Sequence, residues 1–276
     1  APAMEFQLRS IPPTLRYLWM ERAKLQGWPV ALNACAASLQ QLELASSTFV
    51  PPADGSAWAE VNHFTALTRL DLSASCFNQQ HPLPALRLPH LRALSLEYVT
   101  AAAAGSLGAL SALCHLTELV LSSMDLAALP AELSLLTSLQ VLDITSNHLT
   151  TIAPLHAACP LTRRLTTLYC DLHTASFLAP APRLTTLGLM CPASPDISLH
   201  LVALSGVLLL QQPALAQVLL ASHSADTVAV CERLSAVLWV AMQASLHPPK
   251  VRSCGYSLPC SFDATNFAEL SKAAMQ

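Results

Sequence analysis

One leucine spacing recurs along this chain at a period too long for any single helix or strand. It reads leucine, two residues, leucine, one residue, leucine, and it appears at Leu39, Leu42, Leu44, at Leu67, Leu70, Leu72 and at Leu91, Leu94, Leu96. It continues at Leu116, Leu119, Leu121, at Leu139, Leu142, Ile144, at Leu165, Leu168, Cys170 and at Leu184, Leu187, Leu189, with a looser first copy at Leu15, Leu18, Met20. The starts are 24, 28, 24, 25, 23, 26 and 19 residues apart. Within each copy, alternate residues of an extended segment point to opposite sides, so the leucines enter a core and the residues between them face outward. One such unit cannot bury its leucines alone and must stack on its neighbours.

The unit extends past its leucine triplet. A further apolar site follows as Leu25, Phe49, Phe77, Leu126 and Leu149. Two units align almost residue for residue, with Leu126, Leu129, Pro130, Leu133 matching Leu25, Trp28, Pro29, Leu32. A shared apolar-Pro step a hundred residues apart is not a by-product of leucine richness. The segment Leu116 to Thr151, LTELVLSSMDLAALPAELSLLTSLQVLDITSNHLTT, resembles the leucine-rich-repeat superfamily in its intracellular short-repeat type. The resemblance covers residues 11–200 well and the remainder poorly. It implies an α/β fold, a right-handed solenoid or horseshoe with a parallel β-sheet on the concave face and turns or short helices on the convex face. It also implies Asn, Cys, Thr or Ser eight positions after the first leucine, to bond the neighbouring turn. Asn147 meets this fully and Ser47 and Ser75 are acceptable, whereas Ala23, Val99, Met124, His173 and Pro192 are not. Turn amides there need water or backbone partners, and irregular turns are expected.

After Leu189 the period degrades. Leu204, Val207, Leu209 and Leu215, Val218, Leu220 compete as the next unit, too close together for both. Residues 213–222 and 226–244 carry helical spacing, with Asp226 as a helix N-cap. The expected organisation is residues 1–10 as a leader or fragment edge, 11–200 as about eight repeats, and 201–276 as degenerate terminal repeats and a C-terminal cap.

Composition narrows the function. Only 11% of the chain is charged and the net charge is −3, which argues against a nucleic-acid partner, since that calls for a basic stripe. The longest uncharged stretch, 197–225, is divided by Gln211-Gln212-Pro213 into pieces too short for a membrane span. Nine scattered cysteines and no Asn-X-Ser/Thr sequon favour a reducing, intracellular setting, with the cytoplasm first and the ciliary axoneme as an alternative. No phosphate-binding glycine loop, zinc-protease helix, nucleophile elbow or Cys-x-x-Cys pair is present. Cys254 and Cys260 are read as unpaired thiols, so no metal, cofactor or catalytic residue is expected.

The informative residues are those between the leucines. The mid-strand row reads Trp19, Glu43, Asp71, Ser95, Val120, Asp143, Tyr169, Gly188, and the row beside it Tyr17, Gln41, Arg69, Ala93, Glu118, Val141, Thr167, Thr186. Tyr17, Trp19, Glu43, Arg69, Asp71, Glu118, Asp143 and Tyr169 are the candidate partner-binding residues: an acidic stripe with aromatics at both ends. Such a face suits a basic or amphipathic protein segment. The expected function is a non-enzymatic protein-interaction scaffold. Alternatives are a GTPase-activating repeat protein, which needs Arg163 or Arg164 at an exposed rim, or a structural component of a large assembly.

Overall fold

A computed structural model describes residues 11–20, 22–26, 29–50, 56–74, 86–99, 107–149, 161–175, 181–191, 214–222 and 250–253. The chain divides into two compact units, Ala1–Leu126 with Pro130–Leu139, and Ala127–Leu129 with Gln140–Gln276. Each is built from parallel strands, one per leucine triplet, and the first unit adds a second parallel pair.

In the first unit the leucine triplets form β1 (Tyr17–Trp19), β3 (Gln41–Glu43), β5 (Arg69–Asp71), β6 (Ala93–Ser95) and β7 (Glu118–Val120), ordered β1-β3-β5-β6-β7. The registers are in step: Leu18 pairs with Leu42, Leu42 with Leu70, Leu70 with Leu94, and Leu94 with Leu119. Equivalent leucines therefore stack into columns, and from Leu39 onward they are fully buried. Each is worth roughly 1.5–3 kcal/mol of burial. Phe64, Leu88 and Leu113, three residues before successive triplets, add another buried column. The recurrent apolar sites Leu25 and Phe49 are themselves in register, in a second parallel pair of β2 (Lys24–Gln26) and β4 (Thr48–Val50). Short 3₁₀ turns return the chain at Val30–Cys35, Ser56–His63, Leu107–Ala112 and Ala131–Leu135. Pro29 and Pro130, matched by sequence, both stand in extended backbone immediately before such a turn. Proline suits that place because its missing N–H would be unpaired there.

The second unit carries β8 (Val141–Asp143), β9 (Thr167–Asp171), β10 (Thr186–Cys191), β11 (Gln217–Ser222) and β12 (Lys250–Ser253), with α1 (Leu172–Ala175) following β9. Leu142, Leu168, Leu187, Val218 and Val251 are in register across it. This resolves the competition after Leu189: Leu215, Val218, Leu220 is the next triplet. It also corrects the helical reading of 213–222, because Gln217–Ser222 is a strand. Val218, Leu219, Leu220 and Ala221 are all buried. Burial on both faces erases the alternation that marks a half-exposed strand. Residues 226–244 and the Cys254 and Cys260 loop lie outside the described residues.

The turns share one backbone geometry whether the position that follows holds Asn147, Ser47 or the apolar Val99 and Met124. Two residues past each of the first six triplets, Arg22, Ser46, Ala74, Tyr98, Ser123 and Ser146 adopt left-handed backbone, with φ between 53° and 58°. In the first unit this turns the N–H groups of Arg22, Ser46, Ala74 and Tyr98 onto the carbonyls of Ala45, Ser73, Glu97 and Ser122 in the next repeat, at 2.6–3.1 Å. None of these residues is glycine, so each turn stores roughly 1–2 kcal/mol of strain. Val99 and Met124, where a polar residue was expected, are simply buried apolar residues. Val99 N–H bonds the carbonyl of Leu96 at 3.0 Å, so the irregularity expected there is absent.

At the other end of the strands a threonine ladder repeats. Thr68 and Thr117 Oγ1 donate to the carbonyls of Gln40 and Arg92. Thr166 and Thr185 do the same to Gln140 and Thr166. Each of these carbonyls also accepts two backbone N–H groups from the same neighbouring segment.

Candidate functional site

The two rows drawn from the sequence are real registers within each unit. In the first unit Trp19, Glu43, Asp71, Ser95 and Val120 are successive partners, as are Tyr17, Gln41, Arg69, Ala93 and Glu118. Their exposure is not uniform. Tyr17 and Trp19 are 60% and 69% exposed, Glu43 is half-buried and Asp71 is 9% exposed. Ser95 and Val120, further along, are buried. The open part of the face is thus the β1-β3-β5 end.

Charge is concentrated there. Arg69 Nη2 lies 3.6 Å from Glu118 Oε2, an ion pair that passes over β6. It can do so because the residue between them in the row is Ala93, whose methyl leaves the path clear. The separation exceeds a hydrogen bond, and Glu118 Oε2 accepts none among the described residues. Asp71 is partly structural: its Oδ1 accepts the Ser73 N–H at 2.8 Å, closing the turn after β5. Glu43, in register with Asp71, is held above the usual carboxylate range, first by loss of solvent and then by the Asp71 charge, with Arg69 opposing both. Three carboxylates share one guanidinium at this end.

The second unit behaves differently, and two of the candidate residues must be corrected. Tyr169 is 4% exposed and packs with Met190, Leu219 and Ala221, with Val141 against them. It is a core residue on the face that had been expected to meet solvent. Gly188 sits in register between Tyr169 and Leu219, and its lack of a side chain gives the ring room. Asp143 is also 4% exposed. Its Oδ1 accepts from Thr145 N at 2.9 Å and Thr145 Oγ1 at 2.7 Å, as Asp71 does for Ser73. Burial pushes its carboxyl up to about 6, against those hydrogen bonds and with a contribution from the Asp171 charge. Both side chains are buried, where the sequence placed them on an outward face.

Asp171 went unnoticed in the sequence. Its Oδ1 accepts the Ser146 N–H at 2.9 Å and its Oδ2 the Asn147 N–H at 3.2 Å, doing with a side chain what backbone carbonyls do in the first unit. Asn147, the residue that fitted the expected pattern, donates its Nδ2 to the carbonyls of Ile144 and Thr145. Cys170 is a buried thiol held well above its usual range by burial, then by Asp171 and Asp143. The Asp-x-Ser/Thr spacing shared by Asp71 and Asp143 was the available sign of a capping role.

Arg163 and Arg164 are exposed in a turn before β9. Among the described residues no three His, Cys, Asp or Glu side chains are placed to hold a metal, and no helix is long and apolar enough to cross a membrane. Among the described residues Cys35, Cys114, Cys170 and Cys191 form no disulfide.

No family model and no curated protein matches the chain. Among solved structures, internalin C2 from Listeria monocytogenes is similar at 20% identity with a TM-score of 0.39, over 83% of this chain and 76% of that one.

Proposed function

We propose that this chain is a leucine-rich-repeat scaffold that binds a protein partner, and that its binding residues are Tyr17, Trp19, Glu43, Asp71, Arg69 and Glu118. One observation carries the reading: two large aromatics stand exposed side by side on β1, in register with a half-buried carboxylate on β3 and, beyond it, a buried one on β5. Exposed aromatics rimmed by charge are the usual composition of a protein-binding hot spot. The carboxylates outnumber the cations there, which suits a basic or amphipathic segment. Cysteines that form no disulfide among the described residues favour a reducing compartment inside the cell. Residues 201–276 serve as terminal repeats and cap, a role that β11 and β12 support.

The test is affinity capture with quantitative mass spectrometry. The unmodified chain is compared with Tyr17→Ala/Trp19→Ala and with Glu43→Gln/Asp71→Asn; Asp71→Asn keeps the acceptor that closes the turn. Partners held by the unmodified chain drop out with the first variant, and with the second they become insensitive to salt. Identical partners at identical yield across a salt series would remove this face as the site.

A further inference from the structure

The first repeat differs from those behind it. Leu15 and Leu18 remain partly exposed, while their equivalents Leu39 and Leu42 are fully buried. β1 ends the sheet order, with β3 as its strand neighbour. Met20 N–H bonds the carbonyl of Glu43 at 2.8 Å, and the Gln41 N–H bonds the carbonyl of Arg16 at 3.0 Å. Alternate residues of a strand turn their backbone groups to opposite sides, so Leu18 faces β3 and the N–H and C=O groups of Tyr17 and Trp19 face the open edge. No strand lies beyond that edge among the described residues. An open edge is a template for one more strand.

The charges beside this edge say what such a strand should carry. Arg69 reaches Glu118 two strands away, roughly 10 Å, by passing over the intervening residue. A strand added beside β1 would stand in the same relation to Glu43, with Trp19 as the intervening residue. Glu43 is in register with Asp71, and Arg69, on the same strand as Asp71, pairs with Glu118. Where the Arg69 path crosses a methyl group, this one crosses an exposed indole. A guanidinium lies flat on an indole while its N–H fork extends to a carboxylate, which an ammonium does less well.

Resting on the binding-face reading above, we propose that β1 accepts an extended partner segment as an added strand, with an arginine of that segment stacked on Trp19 and paired with Glu43. The backbone of the segment bonds the edge groups of Tyr17 and Trp19, and its arginine adds a second cation beside the Glu43 and Asp71 pair.

The probe is a fluorescein-labelled heptapeptide of glycine and serine with one central arginine, alongside its lysine and citrulline counterparts, titrated with the full chain by fluorescence polarisation. The arginine peptide should bind about fivefold or more tightly than either counterpart. Trp19→Leu and Glu43→Gln should each remove that preference. N-methylation of the peptide backbone should weaken binding even with arginine present. Equal binding of the arginine and lysine peptides, or a preference unchanged in Glu43→Gln, overturns the proposal. So does sedimentation showing the chain paired with itself through an interface that Trp19→Leu abolishes, because the edge then belongs to a second copy. If the peptides fail while Tyr17→Ala/Trp19→Ala still loses captured partners, the binding face stands and the added arginine strand is discarded.

Discussion

The face of the sheet opposite the leucines has the same sequence origin in both units and opposite fates in them. At β1 and β3 it carries Trp19 and Glu43, open to solvent or half-open. At β9, β10 and β11 it carries Tyr169, Met190, Leu219 and Ala221, packed as a core. The turns after the strands diverge too. In the first unit a left-handed residue hands its N–H to a backbone carbonyl of the next repeat, whereas after β8 the acceptor is the Asp171 side chain. The leucine period specifies the strand and its register, and leaves the opposite face free to become either a surface or a second core.

The largest effect should separate the two aromatics. Tyr169→Ala removes a buried ring and should cost about 3 kcal/mol or more. Trp19→Ala removes an exposed one and should cost no more than about 0.5 kcal/mol. Urea denaturation followed by circular dichroism measures both, and similar costs would erase the contrast.

Asp143 sharpens it next. Its folded-state carboxyl is raised from the ordinary value to about 6, so the folded state holds its proton more tightly than the unfolded chain. The sign follows: stability falls as pH rises from about 4 to about 6 and is flat, for this group, above that range. Asp143→Asn keeps an acceptor for Thr145 and should flatten the slope, gaining about 3 kcal/mol at pH 8 relative to the unmodified chain. An unchanged pH profile in the variant would mean that Asp143 is not desolvated as described.

Asp171→Ala removes a carboxylate acceptor of the Ser146 and Asn147 N–H groups and should cost about 2 kcal/mol. Amide hydrogen exchange should then speed up at those two residues. The corresponding amides of Ser46, Ala74 and Tyr98 should not change, since their acceptors are backbone carbonyls. The smallest effect is a gain. Ala74 sits at φ 53°, so Ala74→Gly should relieve more strain than it adds in chain entropy, by about 0.5 kcal/mol.

The strand positions β1, β3 and β5 to β10 were legible because a leucine, or a close substitute, marks every inward position and registers repeat. Leu25 with Phe49, and Pro29 with Pro130, were legible for the same reason: two repeats could be compared. The two rows between the leucines were also legible as rows. Their exposure was not, because alternation says which side a residue takes and nothing about what packs on that side. Tyr169 and Asp143 were misread on that account. β11 was read both as a competing triplet and as helical, because a strand buried on both faces has no alternation to decide between them. The left-handed turns left no mark, since Arg22, Ala74 and Tyr98 are not residues that advertise positive φ. Asp171 left only a faint one, as a carboxylate after a strand resembles any solvated turn residue.

The account turns on Trp19 and Tyr17 being open where Tyr169 is closed. Hydroxyl-radical footprinting read by mass spectrometry addresses all three residues in one folded sample. Rapid oxidation of Tyr17 and Trp19, with Tyr169 protected until the chain is unfolded in urea, is the predicted result. Tyr169 labelled as fast as Trp19, or Trp19 protected in the isolated chain, would contradict it.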